Sequence, residues 1–179
     1  KFMLGFSPSS GDGLTSHLKL HDFKLEQAIE AGLVRQDEES GRTYDFFRGR
    51  LMFPIFDRRG NIAGFGGRAL DDSNPKYINT SATSIFDKRN TLYALNFAID
   101  DIRGQRTAVV VEGYMDAIAA HEYGYTNVVA SMGTALTEEQ VAQLRTLADK
   151  FILALDPDTA GQEATLRSLE SSWRVIQSN

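Results

Sequence analysis

The clearest hydrophobic pattern lies after Gly104, where short apolar runs alternate with segments of helical spacing. Three runs have the length and composition of strands buried on both faces: residues 107–111, 127–130 and 151–155. Helical spacing follows each run, in residues 117–123, from Thr137 onward and from about 160 to 173. This alternation of strand and helix predicts a parallel α/β sheet.

A capping box marks where the helix after the second run begins. Thr137 stands at the predicted N-cap, and Gln140 follows three places later. Val141, Leu144 and Ala148 then share one apolar face, which predicts that this helix packs on the sheet.

The pattern before residue 106 is mixed. Residues 7–16 are rich in turn-forming residues and predict a loop. Asp22 is a candidate cap for a short helix, and Gly32 stands where a C-terminal glycine belongs. Further elements are predicted as a β-hairpin and a helix: strands 51–57 and 62–69 with a turn at 58–61, and a helix over 92–102.

We therefore predict an α/β chain with two subdomains. Residues 1–106 form a mixed α+β subdomain, and residues 107–179 form a parallel α/β subdomain. The chain has 179 residues, which fits one large domain or two small ones with a common core.

Composition narrows the classes of function. The absence of cysteine excludes disulfides and thiolate zinc sites in these residues. No apolar run approaches the roughly 20 residues of a membrane span, and no signal peptide is visible. We expect no membrane partner and a cytoplasmic location. The chain starts without methionine, so we expect it to be a fragment.

The net charge of −5 is unevenly distributed. Basic residues outnumber acidic ones between Arg42 and Arg106, while the flanks are acidic. A basic central region is typical of a surface that binds phosphate groups, and an acidic flank is typical of a metal site. Ordinary solvated surfaces explain this uneven charge distribution almost as well.

Carboxylates follow two of the predicted buried strands. Glu112 comes directly after the first strand and Asp156 directly after the third, with Asp158 two places later. If these strands are neighbours, the three carboxylates meet at the edge where open parallel sheets bind ligands. Asp116, four residues after Glu112, could join them.

Such crowded carboxylates repel one another unless a cation compensates. Oxygen ligands without cysteine or nearby histidine favour Mg²⁺ or Mn²⁺ over zinc. These ions support nucleotidyl transfer. Helix capping or solvation explains any single carboxylate, but explains the whole set less well.

Several motifs resemble those of one enzyme family. The segments Glu-Gly-Tyr-Met-Asp (112–116) and Asp-Pro-Asp-Thr-Ala-Gly (156–161) resemble the signature of the Toprim fold, and the first form is characteristic of bacterial DNA primases of the DnaG family. Four further segments resemble this family in the same order: residues 48–55, 64–68, 75–81 and 130–137. Pro157 departs from the glycine usual in the family, and the chain stops before the family's next acidic motif.

The resemblance implies metal-dependent synthesis of short RNA primers on a single-stranded DNA template from NTPs. It implies catalytic roles for Glu112, Asp156 and Asp158. Glu112 would bind metal and act as a general base. The implied metal ligands are Glu112, Asp156, Asp158 and Asp116. A basic groove for the phosphates of template, primer or nucleotide is implied to include Arg68, Lys76 and Lys88, with Tyr77 and Asn79 in the same stretch.

The glycines, cations and tyrosine between residues 64 and 79 allow two interpretations. Gly64, Gly66 and Gly67 would let a strand approach a polyanion, and Tyr77 would stack on an unpaired base. Alternatively, this is a surface hairpin with scattered cations and a core tyrosine. Arg48 and Arg50 are weaker candidates, since both could be ion-pair partners.

Two other functions stay open. Another Toprim enzyme, such as a topoisomerase or nuclease, would share the acidic site, and a fragment without activity would bind nucleotide or protein only. The resemblance also implies a replicative helicase as a partner, through domains absent from this chain, and a zinc-binding domain elsewhere in the protein.

Overall fold

The structure is a computed structural model that describes residues 1–133 and 135–156 and positions 166, 168 and 170. The chain divides into two compact units. The first comprises Lys1–Ile55 and Ile62–Asp87, and the second comprises Phe56–Asn61 and the described residues from Lys88 onward. The subdomain boundary at residue 106 stays a prediction.

The first unit is built on an antiparallel sheet with two short helices. Its elements in chain order are β1 (Gly5–Ser7), α1 (Gly13–Leu20), α2 (Leu25–Glu30), β2 (Val34–Gln36), β3 (Thr43–Asp45), β4 (Arg50–Phe56), β5 (Ile62–Ala69) and β6 (Tyr77–Asn79). The sheet has the order β1-β4-β5-β6, and β2 and β3 form a separate antiparallel pair. The predicted β4–β5 hairpin is confirmed. Its turn is closed by a 2.8 Å hydrogen bond from Asp57 N to Asn61 O.

Two glycines of β5 lie beneath aromatic rings. A Cβ atom at Gly64 would approach Phe86 Cγ to 3.1 Å, and one at Gly67 would approach Phe47 Cδ1 to 2.7 Å. Both aromatic side chains are buried. These glycines therefore have an internal packing role, whatever they contact outside the chain.

The loop predicted over 7–16 is partly wrong, because α1 begins at Gly13. Its first N–H groups are capped by a distant side chain: Asp45 accepts from Leu14 N at 2.6 Å and from Thr15 N at 2.9 Å. The proposed cap at Asp22 is also wrong, since this residue has φ 60° and the N-cap of α2 is Lys24. Gly32 has φ 69° directly after the helix, as its position predicts.

The second unit contains a parallel sheet with helices. After a short 3-10 helix (Lys88–Asn90), its elements are α3 (Leu95–Gln105), β7 (Thr107–Val111), α4 (Tyr114–Glu122), β8 (Val128–Ala130), α5 (Glu138–Arg145) and β9 (Lys150–Leu153). The strand order is β8-β7-β9, with both pairs parallel. The parallel α/β sheet is confirmed. The helix predicted over 160–173 falls largely outside the described residues.

An apolar core among the described residues joins helices α3 and α5 to the sheet of this unit. Residues from α3, β7, β8 and α5 contribute to it, and Ile102, Val110, Val129 and Leu144 are fully buried. Helix α3 starts three residues later than predicted, because Tyr93 forms a β-bridge with Ala130 and Ala94 has φ 66°. Within the described part of the chain, no helix combines the length and apolarity needed to cross a bilayer.

Candidate active site

Two predicted site residues, Glu112 and Asp156, lie next to each other at the carboxyl edge of the parallel sheet. Strands β7 and β9 are direct neighbours, with Val110 opposite Leu153. Glu112 and Asp156 follow these strands, and the backbone N–H of Asp156 donates to Glu112 Oε1 at 3.0 Å. The neighbour relation on which the sequence argument depends is therefore present.

In the part of the chain that the structure describes, no cation balances the charge on these two carboxylates. Glu112 is half-buried and Asp156 is exposed. Among residues 1–133 and 135–156, neither carboxylate forms an ion pair with Lys, Arg or His. Carboxylates that follow adjacent strands and have no such partner there fit a hard divalent cation that takes oxygen ligands.

Asp116 has a structural contact of its own. Its Oδ2 accepts a 3.0 Å hydrogen bond from Gly113 N at the start of α4, where a carboxylate also complements the helix dipole. Its role as a metal ligand stays a prediction. Asp158 lies outside the described residues, and among those that are described no group of three or more metal-binding side chains occurs.

The loop after β8 reaches the same edge, which the sequence argument did not predict. Ser131 N donates to Val111 O at 3.1 Å, and Gly133 N donates to Glu112 O at 3.0 Å. Met132 and Gly133 both have positive φ, at 64° and 81°. The backbone beside Glu112 is thus fixed by a neighbouring loop. In the sequence this loop was marked by its glycine and by the family resemblance of residues 130–137, but neither signal indicated these hydrogen bonds.

The first unit holds four of the predicted phosphate-binding or base-binding residues. Arg68 lies opposite Tyr77 in the β5–β6 register, with its guanidinium 5.9 Å from the ring centre. Asn79 lies opposite Gly66, and Lys76 is exposed just before β6. Tyr77 is 42% exposed, so it is not a core residue.

A cleft of about 740 Å³ adjoins this hairpin. Arg68 and Lys76 line it together with two acidic residues, Asp71 and Asp72. Hydrogen bonds from Ser73 hold the pKa of Asp71 below its ordinary value. The cleft therefore carries mixed charge rather than a purely basic surface.

Arg50 contacts backbone carbonyls, which differs from the expected ion pair. Its side chain is buried, and Nη1 donates to Pro75 O at 3.0 Å, to Lys76 O at 3.2 Å and to Gly67 O at 3.4 Å. The guanidinium thereby ties β5 to the segment that carries Lys76. No sequence pattern indicates this contact, because its acceptors are main-chain atoms.

Lys88 belongs to the second unit. Its side chain is half-buried, and this burial lowers the pKa of its ammonium group. No hydrogen bond or ion pair of this group occurs within the described part of the chain. That Lys88 lines one groove with Arg68 and Lys76 stays a prediction.

The sheet with carboxylates at its carboxyl edge defines a Toprim protein, and the Toprim domain model matches residues 106–177. The family model "DNA primase catalytic core, N-terminal domain" matches residues 1–99. The chain belongs to the DNA primase family.

Individual relatives support this assignment. The chain is 48% identical to the DNA primase of Clostridium acetobutylicum over 95% of its length, and 48% identical to that of Deinococcus radiodurans over 94%. The solved DNA primase domain from Pseudomonas aeruginosa matches 95% of the chain with a TM-score of 0.90 and 44% identity. A DnaG primase catalytic domain solved bound to single-stranded DNA matches 96% with a TM-score of 0.85 and 38% identity.

The chain covers only part of these relatives. It spans 28% and 30% of the two primases, and 53% of each of the two solved chains. The activity of a whole primase is therefore a matter for proposal.

Proposed function

We propose that this chain is part of a primase that makes short RNA primers on single-stranded DNA by metal-dependent nucleotidyl transfer. The observation that carries the proposal is the hydrogen bond from the backbone N–H of Asp156 to the Glu112 carboxylate, which brings these two acidic residues together at the carboxyl edge of the sheet. Membership of the DNA primase family supports it.

The carboxylates are the proposed holders of one or more divalent cations. Glu112 and Asp156 would provide the first ligands, with Asp158 and Asp116 as further predicted ligands, and Mg²⁺ or Mn²⁺ suits these oxygen donors. A cation held by these residues would supply positive charge that stabilises the phosphate oxygens of the reacting nucleotide. We assign catalytic roles to Glu112, Asp156 and Asp158, with Glu112 accepting the proton of the attacking hydroxyl.

The basic residues are the proposed contacts to template, primer and NTP. Arg68, Lys76 and Lys88 would hold phosphates without reading sequence. The exposed ring of Tyr77 would stack on an unpaired base, with Asn79 beside it. The solved relative bound to single-stranded DNA supports this choice of partner.

The alternatives gain less support. A topoisomerase-like or nuclease-like Toprim enzyme does not account for the first 99 residues, which match the primase model. An inert fragment does not account for two acidic residues that lie side by side at this edge without a cation partner among the described residues. We place the protein in the cytoplasm and assign any helicase contact to other domains.

Metal removal tests the proposed function. We expect the full-length protein to extend no primers from NTPs on single-stranded DNA in the presence of a chelator, because the carboxylates then hold no cation. Adding excess Mg²⁺ or Mn²⁺ should restore primers, measured by gel separation of labelled RNA products. Equal primer yield with and without the chelator would contradict the proposal.

A further inference from the structure

The segment 88–91, which includes the 3-10 helix, is held by side chains from the start of α5. All four of its carbonyl oxygens accept a side-chain hydrogen bond. The bonds run from Gln140 Nε2 to Lys88 (3.2 Å) and Thr91 (2.8 Å), from Thr137 Oγ1 to Arg89 (2.7 Å), and from Gln143 Nε2 to Asn90 (2.7 Å). We call the three donors, Thr137, Gln140 and Gln143, the carbonyl clamp.

Gln140 is the centre of the carbonyl clamp. It is completely buried, and its amide donates both protons to the segment while Oε1 accepts from Thr137 N at 3.2 Å. A buried amide is costly unless its polar atoms are bonded. Here every one of them is used, so the side chain fixes the segment in one position relative to α5.

The segment held in this way carries two cations, Lys88 and Arg89. Lys88 is half-buried, and its ammonium group makes no hydrogen bond or ion pair within the described ranges. Burial without a partner is unfavourable for the charged form, as the lowered pKa of Lys88 shows. A phosphate oxygen would supply the missing partner.

If the cation is already held in its binding position, less conformational entropy is lost when a phosphate binds. A lysine side chain is long and flexible, so a mobile backbone beneath it would add to that cost. Four hydrogen bonds to four consecutive carbonyls remove most of the backbone freedom. The clamp side chains bond to backbone carbonyls. They would therefore affect phosphate binding only through the position of Lys88.

We propose that Thr137, Gln140 and Gln143 are positioning residues that hold Lys88 in place for a phosphate group of the nucleic acid or the NTP. This inference rests on the proposed function and adds residues to which that function assigns no role. In this proposal Lys88 contacts the phosphate, and the carbonyl clamp holds Lys88 in position.

A double-mutant cycle in the full-length protein tests the proposal. The variants are Lys88→Ala, Gln140→Met and the combination, with Gln143→Met as a milder clamp variant because Gln143 is only partly buried. Glu139→Met is the matched control, since it introduces the same side chain at an exposed position of α5. One readout is the dissociation constant of a labelled single-stranded oligonucleotide across salt concentrations. The other is KM and kcat for NTPs in primer synthesis.

We expect Lys88→Ala and Gln140→Met each to weaken phosphate binding about tenfold, and the combination to be no weaker than Lys88→Ala alone. If the phosphate belongs to DNA, the dissociation constant rises and the salt slope of single-strand binding falls by about 0.7. If it belongs to the nucleotide, KM for NTPs rises more than kcat falls. Either result supports the clamp and identifies the source of the phosphate.

Additive losses in the combined variant would overturn the proposal, because a purely structural role of Gln140 would act independently of Lys88. An unchanged affinity and KM in Lys88→Ala would overturn it as well. In both cases normal primer synthesis by the unaltered protein leaves the proposed function standing. Absence of Mg²⁺-dependent primers from the unaltered protein would instead remove the proposed function.

Discussion

Replacing Glu112 by glutamine should lower primer synthesis about a thousandfold, since a bound cation contributes several kcal/mol of transition-state stabilisation and each 1.4 kcal/mol is about tenfold. Glutamine has nearly the same shape and keeps a carbonyl oxygen that accepts from Asp156 N. The variant therefore removes charge while preserving the local hydrogen bond. The rate of primer synthesis at saturating Mg²⁺ measures the effect, and thermal unfolding checks that the fold survives.

Asp149→Asn is the matched control for this variant. Asp149 is also a carboxylate next to the parallel sheet, but it precedes β9 and lies at the opposite edge, where it pairs with Arg106. Because this pair is exposed, its loss should alter stability and activity little. Primer synthesis at the normal rate by Glu112→Gln, or an equal loss in both variants, would contradict a special role for Glu112.

The second large effect concerns stability. We expect Gly67→Val to lower the free energy of unfolding by about 3 kcal/mol, near the upper range for overpacking a dense interior. A Cβ at this position would lie 2.7 Å from Phe47 Cδ1 and 3.1 Å from Arg50 Cδ. Phe47 is only 5% exposed, so its ring has little room to move. The melting temperature should fall by roughly 6–12 °C for a chain of this size.

Gly104→Ala provides the opposite control. Gly104 lies in α3, is exposed, and has no neighbouring atom within 4 Å of the position that an alanine methyl group would occupy. Alanine in a helix should raise stability by about 0.5–1 kcal/mol. A fall in melting temperature of similar size in both variants would show that the close approach at Gly67 is not the cause.

The sequence was sufficient to predict elements whose pattern is local. The strand β7 is a continuous apolar run, and α5 begins with a capping box that the structure contains at Thr137 and Gln140. Both signals come from neighbouring residues, since burial on two faces needs uniform apolarity and capping needs a fixed spacing.

Elements that depend on distant contacts were missed. Helix α1 begins at Gly13 because Asp45, about thirty residues away, accepts its first N–H groups. The start of α3 is delayed by a bridge between Tyr93 and Ala130. No local pattern specifies such partners, because tertiary contacts decide them.

The candidate site likewise combines features that the sequence predicts with features that depend on distant contacts. The position of Glu112 and Asp156 after apolar runs was visible in the sequence, but the adjacency of β7 and β9 was only a condition until the strand order was known. The second use of Gln140, as a donor to Lys88 and Thr91, could not be predicted because carbonyl acceptors leave no trace in the sequence.

The most direct test of the account is the location of Mn²⁺ in crystals of the protein soaked with that ion, determined from anomalous diffraction. We predict a peak at coordination distance, about 2.2 Å, from carboxylate oxygens of both Glu112 and Asp156. No peak between these two side chains, with Mn²⁺ bound elsewhere or not at all, would contradict the claim that they hold a divalent cation together.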